Sequence, residues 1–235
     1  MLRTRRLSIY VGRAPRCRRR VGESSAFTII ELVVVIATIL ILVGVVLAAA
    51  GYVQKKGARA RAETEIAALS AALESYKADN GIYPRGPTAA MNNGAVTIRA
   101  NATDQLNARV TGDPTTDPAS SGTATYRETS LYVYTQLSGD TNCNAEIDNT
   151  ETANRVYFNF KPEMLYTITT AQGNQTISTV AFIRDPFGNS YGYSTIQAAT
   201  PAPNSGYNPT YDLWSTAGLT AAPDDTVTAQ WIKNW

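Results

Sequence analysis

Histidine is absent from this 235-residue chain, and cysteine occurs only twice, as Cys17 and Cys143. Without histidine there is no imidazole to act as base in a nucleophilic triad, and none to ligate zinc. One cysteine lies in a basic N-terminal stretch and the other far downstream. If that stretch is removed or stays cytoplasmic, no internal disulfide is possible, and packing or bound ions must hold the fold. Oxygen donors are the metal chemistry that remains. Charge is sparse too, at 17% of residues, and the formal +2 conceals an asymmetry. Residues 1–26 carry eight arginines against Glu23, a net +7, which leaves −5 for the rest. A basic surface for nucleic acid is therefore not expected in the bulk of the chain.

What the sequence does have is a long uncharged run. Leu32 to Ala50 contain no ionisable residue, and only Thr38 and Gly44 interrupt the aliphatic character. At ~1.5 Å per residue this run is ~28 Å long as a helix, close to the ~30 Å of bilayer hydrocarbon. Arginines in front and an acidic bulk behind orient it with its N-terminus in the cytoplasm. One carboxylate, Glu31, stands at the mouth of the run. A secretory signal peptide cleaved after Ala50 gives that acid no role, and its apolar core would be shorter. A static membrane anchor leaves it as an interfacial group that snorkels to water.

The residues around it, Ala26, Phe27, Thr28, Ile29, Ile30 and Glu31, lead into Leu32-Val-Val-Val-Ile36. They resemble the class III signal of type IV pilins and pseudopilins: a basic leader, a small residue, then Phe-Thr-(Leu/Ile)-Ile-Glu ahead of an aliphatic run. The family usually has glycine before the cut, where this chain has Ala26. The resemblance implies cleavage between Ala26 and Phe27 by a prepilin peptidase, methylation of Phe27, and pairing of Glu31 with the new α-amine of a neighbouring subunit. A carboxylate buried at this depth costs several kcal/mol unless it is paired, and cleavage creates the partner.

Beyond Ala50 the helical pattern continues. Ile66, Leu69, Leu73 and Tyr76 recur at helical spacing as one apolar stripe, and Asn80-Gly81 supplies a left-handed stop. One helix from about Thr28 to Asp79 is predicted, ~75 Å long at ~1.5 Å per residue. Residues 85–125 are poor in large apolar groups and read as a surface excursion. Residues 128–137 read as a short helix with Leu131, Tyr134 and Leu137 on one face, or else as a strand. Strand-like runs follow at 156–160, 176–185, 190–196 and 211–216, with Asp185-Pro-Phe-Gly-Asn189 as a turn. The "DPFGNSYGY" and "YDLWSTAG" stretches further resemble the major pseudopilin of type II secretion systems.

Two polar loops are candidate cation sites. Asp140, Asn142, Asn144, Glu146, Asp148 and Glu151 fall at positions 1, 3, 5, 7, 9 and 12 of a twelve-residue calcium loop. Ala145 stands where that loop has glycine, and Cys143 is expected to point outward as a spectator or to bridge to another chain. In major pseudopilins a calcium site lies between the "DLWS" strand and the C-terminal Trp. Asp224 and Asp225 occupy that region here, although Leu219 follows Gly218 where the family has aspartate. The resemblance carries Ca²⁺ as cofactor to this second, weaker candidate.

The expected fold is α+β and type IV pilin-like. A long N-terminal helix, transmembrane in its first half, packs on a small C-terminal antiparallel β-sheet. The expected divisions are a leader (1–26), a transmembrane or filament-core half-helix (27–53), an amphipathic half-helix (54–80), variable surface loops (81–127) and a sheet domain with polar loops (128–235). The resemblance implies a non-enzymatic structural subunit of a pseudopilus. It would lie in the inner membrane with a periplasmic domain, then in a filament of its own copies, served by a platform protein and an assembly ATPase. The alternatives are a type IV pilus subunit and a membrane-anchored periplasmic binding or enzymatic domain.

Overall fold

The computed structural model describes residues 27–92, 96–148, 151, 154–172 and 175–235. Helix α1 runs unbroken from Ile29 to Asn80, because no proline interrupts it and its residues pass from aliphatic to Ala-, Glu- and Lys-rich. It is the one described helix long and apolar enough to cross a membrane. Two compact units divide at Ala49/Ala50. In the first, every apolar side chain from Phe27 to Leu47 is exposed. Thr38 there returns its hydroxyl to the Val35 carbonyl at 2.9 Å, so even its polar group is satisfied within the helix.

In the second unit, the end of α1 buries Ala62, Ile66, Leu69, Ala72 and Leu73, with Tyr76 half-buried. The predicted stripe is therefore the packing face. The helix stops where predicted: Gly81 takes φ 81° and its N–H bonds the Lys77 carbonyl at 2.7 Å. Helix α2, Tyr126–Ser138, starts on a reciprocal capping box between Thr125 and Glu128 and ends on Gly139 at φ 78°. It is buried on nearly every side, not on one face: Tyr132 and Val133 are as inaccessible as Leu131, Tyr134 and Leu137.

Among the described residues the strands form three small antiparallel sheets rather than one. β1 (Met91–Asn92) pairs with β2 (Thr97–Ile98), β3 (Leu165–Gln172) with β4 (Gln175–Ile183), and β5 (Gly192–Ser194) and β7 (Ile232–Lys233) flank β6 (Asp212–Ser215). Short helices α3 (Ile196–Ala199) and α4 (Asp225–Thr228) lie between the last strands. β4 docks on α2 where the Ile183 N–H donates to Ser130 Oγ at 2.9 Å.

Three expectations change. The 81–127 region is not a surface excursion throughout, since Val96, Ile98, Ala102, Leu106 and Ala108 join the core. Residues 156–160 are not a strand: the Tyr157 and Phe158 N–H groups both bond the Leu137 carbonyl, covering the end of α2, and Phe160 packs at a tilt against Tyr134. Strand β3, rich in β-branched Thr and Ile, forms the longest ladder with β4 although no strand was expected there. At the C-terminus, Trp231 and Trp235 pack against the fully buried Trp214, and Arg59 holds the Gln230 carbonyl at 2.8 Å.

Candidate functional site

Three places carry the residues singled out by sequence. At the start of α1, Phe27 is 85% exposed and Glu31 sits in the first helical turn; Ala26 lies outside the described residues. The Glu31 carboxylate accepts from the Thr28 N–H at 2.8 Å and from Thr28 Oγ1 at 2.9 Å, while the Glu31 N–H donates to Thr28 Oγ1 at 3.3 Å. This is a capping box, with Thr28 as N-cap and Glu31 as its partner three residues on. Glu31 thus satisfies its own helix start in the isolated chain. That role was missed from sequence, although the Thr-x-x-Glu spacing carries it.

The second place is the polar loop after α2. Asp140 is buried, its Oδ1 accepting from the Cys143 N–H at 2.6 Å, its Oδ2 from the Ala145 N–H at 2.9 Å and from the Tyr134 hydroxyl at 2.6 Å. Asn142 Oδ1 accepts from the Asn144 N–H and Asn144 Oδ1 from the Glu146 N–H, so side chains two residues apart turn their oxygens onto the backbone in succession. Winding this tightly puts Cys143 at φ 61° and Ala145 at φ 69°, where side chains with a Cβ are disfavoured. Glu151 folds back across the loop: its Oε1 accepts from the N–H groups of Thr141 and Asn142 and from Thr141 Oγ1. Burial pushes the Glu151 carboxyl up, but the Thr141 hydroxyl and the N–H groups of Asn142, Thr141 and Asp148 outweigh it and leave it below the usual carboxylate range. Burial, and then the bond to Asp140, drive the Tyr134 hydroxyl far above its ordinary value.

Cys143 does not point outward. It is buried in the core, and its carbonyl accepts the Val180 N–H at 2.7 Å, which ties the loop to β4. The donors Tyr134 and Thr141 were not foreseen, because Tyr134 reaches the loop only through the packing of α2.

The third place is the C-terminal loop. Asp224 is the N-cap of α4, and its Oδ1 accepts from the N–H groups of Thr226 and Val227 and from Thr226 Oγ1. The Thr226 hydroxyl and the Val227 N–H hold its carboxyl below the usual range. Asp225 is exposed. Asp224 Oδ1 is thus spent on starting α4, and the structure gathers no further side-chain oxygen on it among the described residues.

The "DPFGN" and "DLWS" stretches meet in space. Asp185 Oδ1 accepts from the N–H groups of Phe187 and Asn189, and its Oδ2 from Ser215 Oγ. No family profile, curated protein or solved structure matches the chain.

Proposed function

We propose that the chain is a non-enzymatic, pilin-like filament subunit of a type II secretion-type machine, processed between Ala26 and Phe27 and assembled from the inner membrane. The observation that supports this best is the pairing of a fully exposed aliphatic helix start with one acid in its first turn. So much contiguous apolar surface must be covered by lipid or by other chains. Copies that leave the bilayer exchange lipid for the same face of their neighbours, so the apolar half of α1 supplies most of the contact in the fibre. In that setting Glu31 exchanges its Thr28 donors for the α-amine of an adjoining Phe27, and the charge pair sets the stagger of one subunit on the next. The face without charge provides the adhesion and the lone acid provides the register.

The test separates capping from pairing. Glu31→Gln keeps an acceptor for the Thr28 N–H and removes the charge, whereas Glu31→Ala removes both. Co-expressed with the peptidase and assembly machinery, both variants should be processed and both should give markedly fewer sheared fibres than the parent chain. Parental fibre yield from Glu31→Gln would refute the pairing.

A further inference from the structure

We propose that Asp140, Asn142, Asn144, Glu146, Asp148 and Glu151 form a calcium site that locks the loop after α2 onto the domain, whether or not the chain enters a filament. Spacing alone would be a weak argument in a chain this rich in Asn and Asp. The independent sign is an oxygen without a partner. Glu151 is 2% exposed, and its Oε2 is shut away from solvent and accepts no hydrogen bond among the described residues. Its twin Oε1 is pinned by the N–H groups of Thr141 and Asn142, which fixes the carboxylate across the loop's first turn and so keeps Oε2, on the same carbon, against that turn. A desolvated carboxylate oxygen without a donor is costly, and a hard cation is the partner that removes the cost.

The donor set agrees. The side-chain oxygens at positions 1, 3 and 5 are oriented by their bonds to the loop's own N–H groups: Asp140 by Cys143 and Ala145, Asn142 by Asn144, and Asn144 by Glu146. Asp140 Oδ1, Asn142 Oδ1 and Asn144 Oδ1 each keep a second lone pair, whereas Asp140 Oδ2 is filled by the Ala145 N–H and the Tyr134 hydroxyl. Glu146 contributes through its backbone carbonyl, as position 7 does in such loops, and Asp148 and Glu151 add two carboxylates. Only oxygens are offered, which selects a hard ion. A winding loop with many donors suits the larger, less directional Ca²⁺ better than octahedral Mg²⁺.

Among the described residues no three acidic, cysteine or histidine groups already converge on one point, so the ion itself gathers the last ligands. Asp148, whose Oδ2 now accepts from Asn142 Nδ2 at 2.9 Å, and the free oxygen of Glu151 close in as it binds. The start and the middle of the loop are held already, the first by Tyr134 on Asp140 and the second by the Cys143 carbonyl on β4.

The experiment uses the full chain in detergent, stripped with EGTA, then titrated with CaCl₂ or MgCl₂ and followed by calorimetry and melting. A single Ca²⁺ should bind and saturating Ca²⁺ should raise Tm by about 3–5 °C, with little response to Mg²⁺. Glu151→Gln keeps the acceptor for Thr141 and Asn142 and should weaken Ca²⁺ binding at least tenfold. Asp148→Asn, at a half-exposed position, should do the same without disturbing the fold and decides the matter if Glu151→Gln fails to fold. No Tm shift in the parent chain, undiminished binding in Asp148→Asn, or a shift abolished only by Asp224→Asn would each overturn the proposal.

Discussion

Ser215 Oγ donates a hydrogen bond to Asp185 Oδ2, and that bond joins the Asp185–Asn189 turn to the end of β6. Both residues are buried. Asp185 Oδ1 meanwhile closes its own turn on the N–H groups of Phe187 and Asn189, and Gly188 takes φ 94° to let the chain reverse. One carboxylate thus shapes a turn and fixes it to a separate sheet.

That burial makes Asp185 a source of pH-dependent stability. Burial lifts its carboxyl above the usual aspartate range, the charge of Glu65 adds to the lift, and the bonds from Ser215, Asn189 and Phe187 recover only part of it. The folded state therefore keeps this proton to a higher pH than the unfolded chain, whose aspartate titrates near ~3.9. The contribution is complete below that value and is lost as pH rises through the folded value. Asp185→Asn, close in shape, removes the titration. The stability of the parent chain minus that of Asp185→Asn, from denaturant curves between pH 3.5 and 7, should shrink as pH rises; a difference that grows with pH would contradict the assignment.

Gly192 lies opposite Trp214 in the β5–β6 ladder, and the indole fills the space a Cβ would need. Trp214 is fully buried between Tyr126 and Trp231 and cannot withdraw. Gly192→Ala should therefore cost about 1–3 kcal/mol, as overpacked cores do, and lower Tm by several degrees. Unchanged melting would mean that the indole is more mobile than its contacts indicate.

Glu128 does two jobs from a buried position. Its Oε2 takes the Thr125 N–H at 2.7 Å to start α2, and its Oε1 takes Arg99 Nε at 2.7 Å. Glu128→Ala removes one half of the capping box and leaves Arg99 without its counter-charge, at a cost of about 3–5 kcal/mol. Glu128→Gln keeps the cap acceptor and should cost less. Chemical denaturation of the two variants checks the order.

Much of α1 was legible because its evidence is local. Nineteen uncharged residues, a stripe at helical spacing and an Asn-Gly stop each act within a few turns, and the helix ends within a residue of its predicted stop. The 185–189 turn and β6 were legible for the same reason. The 81–127 region was not, because Val96, Ile98 and Leu106 are isolated among polar residues and become core only through contacts distant in sequence. Residues 156–160 have the composition of a strand, but they spend their N–H groups on the last turn of α2 instead. The candidate oxygen donors of the loop after α2 could be counted from spacing, whereas the orphaned Glu151 oxygen and the Tyr134 bond needed the fold.

The filament reading depends on a new amine at Phe27, and the mature N-terminus tests it most directly. Intact-mass and N-terminal peptide analysis of the membrane-extracted chain, made in cells with the prepilin peptidase, should show a polypeptide that begins at Phe27 and carries one added methyl group. A chain continuous through Ala26-Phe27 in its working form, or one that begins at Gly51, would contradict the account.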